Sequence, residues 1–506
     1  MRLLSRARLA LDRHPHLGTI LERVAEVHGD RRLVEEQGGR SLTAREASDL
    51  VDRWAGAIAA EVDPGASVVV ATPNGYDQLL LCVAAARAGA IPAPVSDRLR
   101  PREVEGIVED SGAELVLRSA DDLPAAPPLR QARPAAPTAV GARFFTSGTT
   151  GRPKGAELTH RALVGQVSSA AAFPASSQVE VVVALPVAHI MGFAVLLGLA
   201  CAGIPVYQLP KFRPEDVLDA IESRRATGFV GVPAMYRMLL DAGAERRDLS
   251  SVRVWGSGAD VLPTEVAERF KRMGAAVHLP VVGDVGQATV VEGYGMVEVG
   301  AGAVAFRLSP PYLPPGFGGG LVLPSPSYRF RIVGDDGREV LPGRVGELWV
   351  KGPGVLAGYQ GDEEATRAVV TADGWLRTGD LARRGLFGTF ALTGRAKDVI
   401  KSGGYSVYAV EVEAALCEHP AVAEAAVVGL PDERRGEVPA AAVRLRDGES
   451  VTPDDLVAWA AKRMAGYKVP RTVMVVDDLP RTGTQKVRRN AVRDLFTGPP
   501  GNGGRR

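Results

Sequence analysis

One stretch of the sequence decides the fold, and it reads Thr146-Ser147-Gly148-Thr149-Thr150-Gly151-Arg152-Pro153-Lys154-Gly155. Its glycines let backbone N–H groups approach an anion without a Cβ in the way, and its hydroxyls donate further hydrogen bonds. Lys154 adds a mobile positive charge. A Walker loop requires Gly-Lys followed by Ser or Thr, whereas this lysine follows Pro153 and precedes Gly155. The stretch therefore predicts a phosphate-binding loop of another kind.

The composition is typical of an ordinary soluble globular protein with more than one domain. The chain has 506 residues, is 46% hydrophobic and carries a formal net charge of +1. This balance gives no electrostatic footprint for a nucleic acid partner. The three cysteines, Cys82, Cys201 and Cys417, are far apart and odd in number, which argues against a disulfide framework or a zinc cluster. Charged residues interrupt residues 1–17, so we expect no signal peptide and a cytoplasmic location.

Residues 181–210 form the most apolar part of the chain. They contain no Asp, Glu, Lys or Arg, and their length suits a membrane span. Prolines and glycines such as Pro186, Gly192 and Gly203 interrupt them, however. The segment therefore predicts a buried helix beside a ligand pocket. We expect no membrane span, and peripheral association with a membrane stays open.

The order of apolar runs predicts an α/β fold with several parts. From Ser67 onwards, strand-like runs such as Ile91–Pro94 alternate with amphipathic segments such as Tyr76–Ala88, which is the rhythm of a layered α/β domain. Near the end of the chain, strands are predicted over Ala423–Val428 and Thr472–Val476. Short alternating runs after Gly316 predict an antiparallel β subdomain within this large N-terminal domain, and the last part of the chain predicts a small α+β C-terminal domain joined by a hinge. The predicted bounds are an N-terminal domain over 1–393, a hinge over 394–398, a C-terminal mobile domain over 399–497 and a disordered tail over 498–506.

Five further segments carry residues suited to a nucleotide site. Glycines let a base approach the main chain, an aromatic ring can lie against it, a carboxylate can accept from ribose hydroxyls or hold a metal ion, and a lysine can neutralise a phosphate. In chain order they are Gly256-Ser257-Gly258-Ala259-Asp260, Gly293-Tyr294-Gly295-Met296-Val297-Glu298, Trp375-Leu376-Arg377-Thr378-Gly379-Asp380, the stretch from Gly394 to Tyr405, and Pro480-Arg481-Thr482-Gly483-Thr484-Gln485-Lys486.

Together with the glycine-rich loop, these segments resemble the AMP-forming adenylating enzymes, a superfamily of acyl-CoA synthetases, adenylation domains and luciferases. The resemblance runs from about Leu42 to Arg489 and is greatest to acyl-CoA synthetases. It implies an AMP-binding domain, the cofactors ATP, Mg²⁺ and CoA, and catalytic roles for Lys486, Glu298 and Thr150. It implies nucleotide binding by Thr146, Ser147, Gly148, Thr149, Thr150, Gly151, Lys154, Gly258, Ala259, Gly293, Tyr294, Gly295, Asp380 and Arg395.

The same resemblance implies roles outside the nucleotide site. Glu298 is the expected Mg²⁺ ligand, Lys397 the pivot of the hinge, and Lys401, Gly403 and Gly404 part of the CoA tunnel. His189 matches a gate to the acyl pocket, for which a core histidine satisfied by backbone is the alternative. Two positions depart from the pattern: Val297 replaces the usual Thr, and Gln485 the usual Gly.

The apolar segment bears on the acid. Amino-acid-activating relatives need an Asp there, and residues 181–210 contain none. We therefore expect a fatty or other hydrophobic acid, since a dicarboxylate would require a buried cation. The predicted reaction is ATP-dependent conversion of this acid to an acyl-adenylate and then to an acyl-CoA thioester. The alternatives are an acyl-AMP ligase that loads a carrier-protein thiol, and a nucleotide-binding sensor or scaffold with weakened catalysis.

Overall fold

The structure is a computed structural model that describes residues 2–146, 154–172, 179–309, 322–386, 389–481 and 486–497. The predicted tail over 498–506 lies outside these residues. The helices are α1 (Arg2–Ala10), α2 (Ile20–His28), α3 (Ala44–Glu61), α4 (Tyr76–Arg87), α5 (Pro101–Ser111), α6 (His160–Val164), α7 (Ile190–Ala202), α8 (Pro214–Arg224), α9 (Pro233–Asp241), α10 (Thr264–Met273), α11 (Glu363–Val369), α12 (Ala409–Cys417), α13 (Pro453–Ala461) and α14 (Arg489–Thr497).

The strands up to the end of the nine-stranded sheet are β1 (Arg32–Glu36), β2 (Ser41–Thr43), β3 (Ser67–Val70), β4 (Ile91–Pro94), β5 (Ala113–Leu117), β6 (Val140–Thr146), β7 (Lys154–Thr159), β8 (Val181–Val183), β9 (Val206–Gln208), β10 (Gly228–Gly231), β11 (Val254–Gly258), β12 (Val277–Leu279), β13 (Gly283–Val285), β14 (Thr289–Tyr294), β15 (Ala305–Ser309) and β16 (Leu323–Pro324). The later strands are β17 (Arg329–Val333), β18 (Val345–Lys351), β19 (Gly358–Tyr359), β20 (Leu376–Arg384), β21 (Phe390–Arg395), β22 (Val399–Ser402), β23 (Tyr405–Tyr408), β24 (Val422–Asp432), β25 (Gly436–Leu445) and β26 (Thr472–Val476).

The chain divides into two compact units. The first consists of Met1–Gly319, Leu323–Arg329 and Val350–Leu376, and the second of Gly320–Val322, Phe330–Trp349 and Arg377–Arg506. The domain and hinge bounds expected from the sequence stay a prediction.

A nine-stranded sheet forms the centre of the first unit, in the order β16-β15-β14-β11-β10-β8-β9-β1-β2. Its inner strands, from β14 across to β1, are parallel, and the outer pairs are antiparallel. Val181–Val183 of β8 is buried at every position, as expected for a parallel strand covered on both faces. This alternation of strands and helices confirms the predicted α/β class.

The first unit also contains the two-stranded sheet β12-β13 and two further small sheets near the predicted phosphate loop. One is the parallel sheet β4-β3-β5, and the other is the antiparallel sheet β19-β7-β6. The strand predicted over Ile91–Pro94 matches β4 to the residue, and the helix predicted from Tyr76 is α4. The apolar segment contains α7, which is 13 residues long. In the described part of the chain, no helix combines the length and apolar character that crossing a bilayer requires.

The second unit contains two sheets. The four-stranded sheet has the order β17-β18-β20-β21, with β20 and β21 antiparallel as predicted. It groups with the C-terminal part of the chain, whereas the sequence predicts it within the N-terminal domain. A five-stranded sheet has the path β23-β22-β25-β24, with β26 parallel to β25. Valines and alanines of β24 and β25 pack with α12 and α13 into one core. These elements form the small α+β domain that the sequence predicts.

Candidate active site

Three neighbouring parallel strands of the nine-stranded sheet carry a glycine at or beside their ends. β10 ends at Gly231 and β11 at Gly258, and Gly258 pairs across the ladder with Gly293 of β14. The carboxyl ends of parallel strands meet at one edge of a sheet, which is where open α/β sheets bind ligands. A Cβ on Gly258 would lie 3.1 Å from Cε of Met191 and 3.2 Å from the Gly293 carbonyl oxygen. Gly258 therefore leaves room for the Met191 side chain against this strand edge, which we call the glycine floor.

The residue after β11 has a strained backbone. Ala259 has a φ of +67°, and within the described ranges Arg225 is the other non-glycine residue with a positive φ. This left-handed region costs a residue with a Cβ about 1 kcal/mol or more. Asp260 follows, and its carboxylate accepts the Val261 N–H at 2.8 Å. The strain falls on the turn that the sequence predicts to contact adenine.

A buried ion pair fixes the chain just beyond this turn. Glu292 of β14 accepts the Leu262 N–H at 2.9 Å and pairs with Arg307 of β15. Burial raises the pKa of Glu292, and the Arg307 guanidinium opposes that rise. The pair thereby ties the turn after β11 to the strand that ends at Tyr294.

The predicted phosphate-binding loop joins two antiparallel strands. Thr146 at the end of β6 pairs with Lys154 at the start of β7, and the Thr146 hydroxyl lies 3.5 Å from the Lys154 carbonyl oxygen. One cross-strand pair therefore holds both ends of the loop. The other residues predicted to bind phosphate lie outside the described residues, namely Ser147, Gly148, Thr149, Thr150 and Gly151. Their roles stay predictions.

Lys154 contacts a segment that lies 200 residues further along the chain. Its Nζ is 3.0 Å from Oδ2 of Asp362 and 5.6 Å from the centre of the Tyr359 ring. Asp362 is also the N-cap of α11, since its Oδ1 accepts the Ala365 N–H at 2.8 Å. This N–H and then the Lys154 ammonium lower the pKa of Asp362.

Glu298 reaches the same segment from the other side. It lies in the 3₁₀ turn Val297–Val299, four residues after Tyr294 ends β14. The Tyr359 hydroxyl donates to Oε1 of Glu298 at 2.9 Å. Burial, and then Glu298, raises the pKa of Tyr359, so the phenol stays a donor at neutral pH. The structure thus brings the predicted phosphate lysine and the predicted metal ligand onto one tyrosine.

The geometry at Glu298 suits a metal ion that a substrate also binds. Among the described residues, no group of three or more His, Cys, Asp or Glu side chains could hold a metal ion. Mg²⁺ is usually held by one or two carboxylates together with substrate phosphates and water. A single partly buried carboxylate, with one oxygen fixed by Tyr359, fits that donor set.

His189 begins the apolar helix α7. Its Nδ1 accepts the Met191 N–H at 3.3 Å, so the imidazole is the N-cap of the helix. Met191 lies over Gly258. The first turn of α7 therefore links the predicted gate residue His189 to the glycine floor. The capping role is one reason for a polar residue at position 189.

In the second unit, the two residues predicted to contact ribose are paired with each other. Asp380 of β20 lies opposite Arg395 of β21, and the Arg395 Nε is 2.9 Å from Asp380 Oδ1. Asp380 is buried, and its N–H donates to the Thr378 hydroxyl at 3.0 Å. Gly379 lies between Thr378 and Asp380, and its positive φ of 70° allows the tight turn between them.

The predicted hinge and CoA-tunnel residues lie on a short hairpin. Lys397 is exposed in the 3₁₀ turn Ala396–Asp398, directly before β22. Gly403 and Gly404 form the two-residue turn between β22 and β23, with φ values of 58° and 84°. Such a turn favours glycine at both positions, which is a structural reason for this pair independent of CoA. Lys401 donates from Nζ to the Ser406 hydroxyl at 2.9 Å.

Lys486 also lies in the second unit, partly buried. An isolated bridge between Arg481 and Val487, with the Arg488 N–H donating to the Pro480 oxygen at 2.8 Å, closes the chain around it. Gln485, the predicted departure from the family pattern, lies outside the described residues. Lys486 is therefore next to residues that are fixed to Pro480 and Arg481.

The sequence reasoning missed Tyr359 and Asp362. The only local signal was Asp362 before two glutamates, which is typical of a helix start. That signal predicts the cap of α11 and gives no indication of contacts with residues 154 and 298.

Comparison with known proteins agrees with these features. The profile of the AMP-binding enzyme family matches residues 21–360, and that of the AMP-binding enzyme C-terminal domain matches residues 411–486. The chain is 36% identical over 486 residues to a feruloyl-CoA synthase of Amycolatopsis sp, covering 91% of this chain and 95% of that protein. It is 33% identical over 499 residues to the indoleacetate–CoA ligase of Aromatoleum aromaticum, with 90% and 93% covered.

A solved structure shows the same likeness. The o-succinylbenzoate coenzyme A synthetase (MenE) from Bacillus subtilis, in complex with ATP and magnesium ion, is 28% identical and superposes with a TM-score of 0.78 over 94% of this chain and 99% of its own. The family resemblance and the fold class predicted from the sequence are confirmed. The chain belongs to the AMP-binding enzyme family and is an AMP-forming ligase of the acyl-CoA synthetase type.

Proposed function

We propose that this protein uses ATP to activate a hydrophobic carboxylic acid that carries an aromatic ring, and that it transfers the acyl group to CoA. In the first half-reaction a carboxylate oxygen bonds to the α-phosphorus of ATP and pyrophosphate leaves. In the second the CoA thiol, losing its proton, attacks the acyl carbon and AMP leaves. Both half-reactions conserve atoms and need no oxidant.

One observation carries the proposal: Tyr359 contacts both Lys154 and Glu298. One aromatic side chain thus has a cation near its ring and a carboxylate at its hydroxyl. A metal-bound triphosphate requires both charges, a cation for its phosphate oxygens and a carboxylate for its metal ion. Lys154 would pair with phosphate oxygens, and Glu298 would hold Mg²⁺. When bound, the ion would supply positive charge to the phosphates as they separate.

The strand edge would receive the base. Gly258 and Gly293 add no side chains of their own, so a planar base can approach the main chain beside Met191, with the Tyr294 ring as a second surface. In the second unit, Asp380 would accept hydrogen bonds from the ribose hydroxyls. Arg395, which is paired with Asp380, would stay close enough to contact the ribose. Thr146 and the loop to Lys154 would provide phosphate donors.

Lys486 is proposed to act in the first half-reaction. A carboxylate is repelled by the phosphate that it attacks, and an ammonium near both reduces this repulsion. Residues 401–404 would instead serve the second half-reaction, which requires the C-terminal domain to change its orientation about Lys397. The domain bounds of 1–393 and 399–497 and the hinge over 394–398 remain part of this proposal.

The acid class follows from the relatives and from the apolar segment. The two relatives are named for feruloyl-CoA and indoleacetate, which carry aromatic rings. Residues 181–210 contain no charged side chain that could neutralise an amine or a second carboxylate. An aromatic acid belongs to the hydrophobic acids expected from the sequence, whereas the fatty acids included in that expectation have less support.

A panel of acids tests the proposal. We expect CoA thioesters, detected by mass spectrometry, from ferulate-like and arylacetate-like acids, with AMP as the second product. Long straight-chain acids, dicarboxylates and amino acids should give less product at equal concentration. Thioesters from fatty acids alone would overturn the acid class, and transfer to a carrier-protein thiol without transfer to CoA would favour the alternative acceptor.

We propose a cytoplasmic location because ATP and CoA are available there.

A further inference from the structure

Residues 356–362, which we name the clasp, fasten two separate elements of the first unit. The Leu356 N–H donates to the Glu298 carbonyl oxygen at 2.9 Å, and the Gln360 N–H donates to the Gly155 oxygen at 2.9 Å. Between these bonds, Tyr359 of β19 pairs with Ala156 of β7. The clasp is therefore bound to the turn that carries Glu298 and to the strand that begins at Lys154.

Tyr359 is the side chain through which the clasp meets both charged residues. Its hydroxyl donates to Glu298 Oε1 at 2.9 Å, and its ring centre lies 5.6 Å from Lys154 Nζ. The hydrogen bond from Tyr359 engages Oε1 of Glu298. A glutamate held in this way has already lost the rotamer freedom that it would otherwise lose when a ligand binds.

We propose that Tyr359 is a positioning residue that orients the Glu298 carboxylate for the metal ion accompanying ATP. This inference rests on the proposed function, because it assumes that Glu298 meets the metal. It goes beyond that function in assigning the effect to the phenol hydroxyl of the clasp. The hydroxyl acts through Glu298 and has no direct contact with the substrate.

The chain offers a matched control. Tyr207 of β9 also lies beneath a cation, with the Arg224 guanidinium carbon 4.1 Å from its ring centre. Tyr207→Phe removes a phenol hydroxyl and leaves the ring under its arginine, as Tyr359→Phe leaves the ring under Lys154. The two substitutions therefore differ in whether the hydroxyl serves Glu298.

Calorimetric binding of α,β-methylene-ATP to the full chain, with excess Mg²⁺ and again with EDTA, tests the proposal. We expect Tyr359→Phe to weaken binding about tenfold with Mg²⁺, the effect of losing one hydrogen bond to a charged group. Binding in EDTA should be unchanged, and Tyr207→Phe should match wild type in both conditions. Equal weakening in both conditions would mean that Tyr359 has a structural role only and would overturn the inference.

A double substitution tests whether the hydroxyl acts through Glu298. In a Glu298→Gln background, Tyr359→Phe should change Mg²⁺-dependent binding by less than twofold, since contacting residues are non-additive. A full tenfold effect in that background would contradict the positioning role. Wild-type protein that binds the analogue equally with and without Mg²⁺ would count against the metal role of Glu298, and hence the proposed function itself. Wild-type Mg²⁺ dependence retained in Tyr359→Phe would count against the inference alone.

Discussion

Lys154 Nζ and Asp362 Oδ2 lie 3.0 Å apart, so the lysine predicted to bind phosphate is paired with a carboxylate in this structure. Both side chains are partly exposed, at 29% and 41%, and such pairs stabilise a protein by about 1 kcal/mol or less. A triphosphate can therefore displace Asp362 from Lys154 at small cost. The pair also keeps the ammonium near the ring of Tyr359.

Asp362→Asn should strengthen ATP binding. Asn keeps the acceptor that caps α11, but it removes the charge that competes with phosphate for Lys154. Asp362 competes with ATP for Lys154 by about 1 kcal/mol or less, so removing its charge should lower the KM for ATP by about twofold to fivefold. Asp362→Ala is the comparison, since it also loses the cap and should cost about 1 kcal/mol of unfolding free energy. A raised KM in Asp362→Asn would show that the carboxylate positions Lys154 for ATP.

Substitutions of His189 should separate its capping role from its role in the acyl pocket. His189→Asn offers an oxygen in place of Nδ1 for the Met191 N–H, whereas His189→Ala removes the acceptor. We expect Ala to lower the free energy of unfolding by about 1 kcal/mol and Asn to have little effect on it. If the imidazole lines the acyl pocket, both variants should raise the KM for the acid. Wild-type kinetics in His189→Asn would leave His189 with the capping role alone.

Lys486→Ala should affect one half-reaction. Because the ammonium is proposed to relieve repulsion only while the acyl-adenylate forms, adenylation should slow by about 100-fold or more. Thioester formation from a preformed acyl-adenylate and CoA should continue at nearly the wild-type rate. Rapid-quench measurement of each half-reaction checks this, and equal losses in both would exclude the proposed role.

Two stacked histidines should make the protein less stable in acid. The rings of His16 and His160 are 4.1 Å apart, and both Nδ1 atoms accept backbone N–H groups, from Gly18 and Leu17. Burial, and then His16, lowers the pKa of His160 to about 3. Burial, and then nearby arginines, lowers the pKa of His16.

The sign of the pH effect follows from these depressed pKa values. Above about pH 6.5 both folded and unfolded states hold neutral histidines, so the contribution of His160 to stability is complete. As the pH falls below 6.5, the unfolded state takes up a proton that folded His160 refuses, and about 1.4 kcal/mol is lost per pH unit. His160→Asn keeps an acceptor without titrating. Urea unfolding at pH 7.5 and pH 5 should therefore show a smaller loss in the variant, and equal losses would contradict the argument.

Local patterns predicted part of the secondary structure. Thr472–Val476 was predicted to the residue, because a short β-branched run bounded by polar residues has few alternatives. β24 was predicted to end at Val428 but continues to Asp432, through Gly429 and Pro431. Its ladder with β25 continues over these residues, so tertiary pairing overrides their low strand propensity.

The site could be predicted only in part. Motif residues such as Lys154 and Glu298 were found because each lies in a local pattern. Tyr359 and Asp362 reach them only through the fold, across 61 and 208 positions of the chain, and no local periodicity encodes such contacts. Likewise, no local pattern indicated that His189 caps α7, since a cap depends on where the helix begins.

The most direct test of the central claim is exchange of labelled pyrophosphate into ATP, measured without CoA. We expect exchange that depends on the acid, is greatest with ring-bearing hydrophobic acids and requires Mg²⁺, because a reversible acyl-adenylate forms before any thiol is needed. Failure of every acid in the panel to support exchange, in protein that binds ATP, would contradict acyl-adenylate formation.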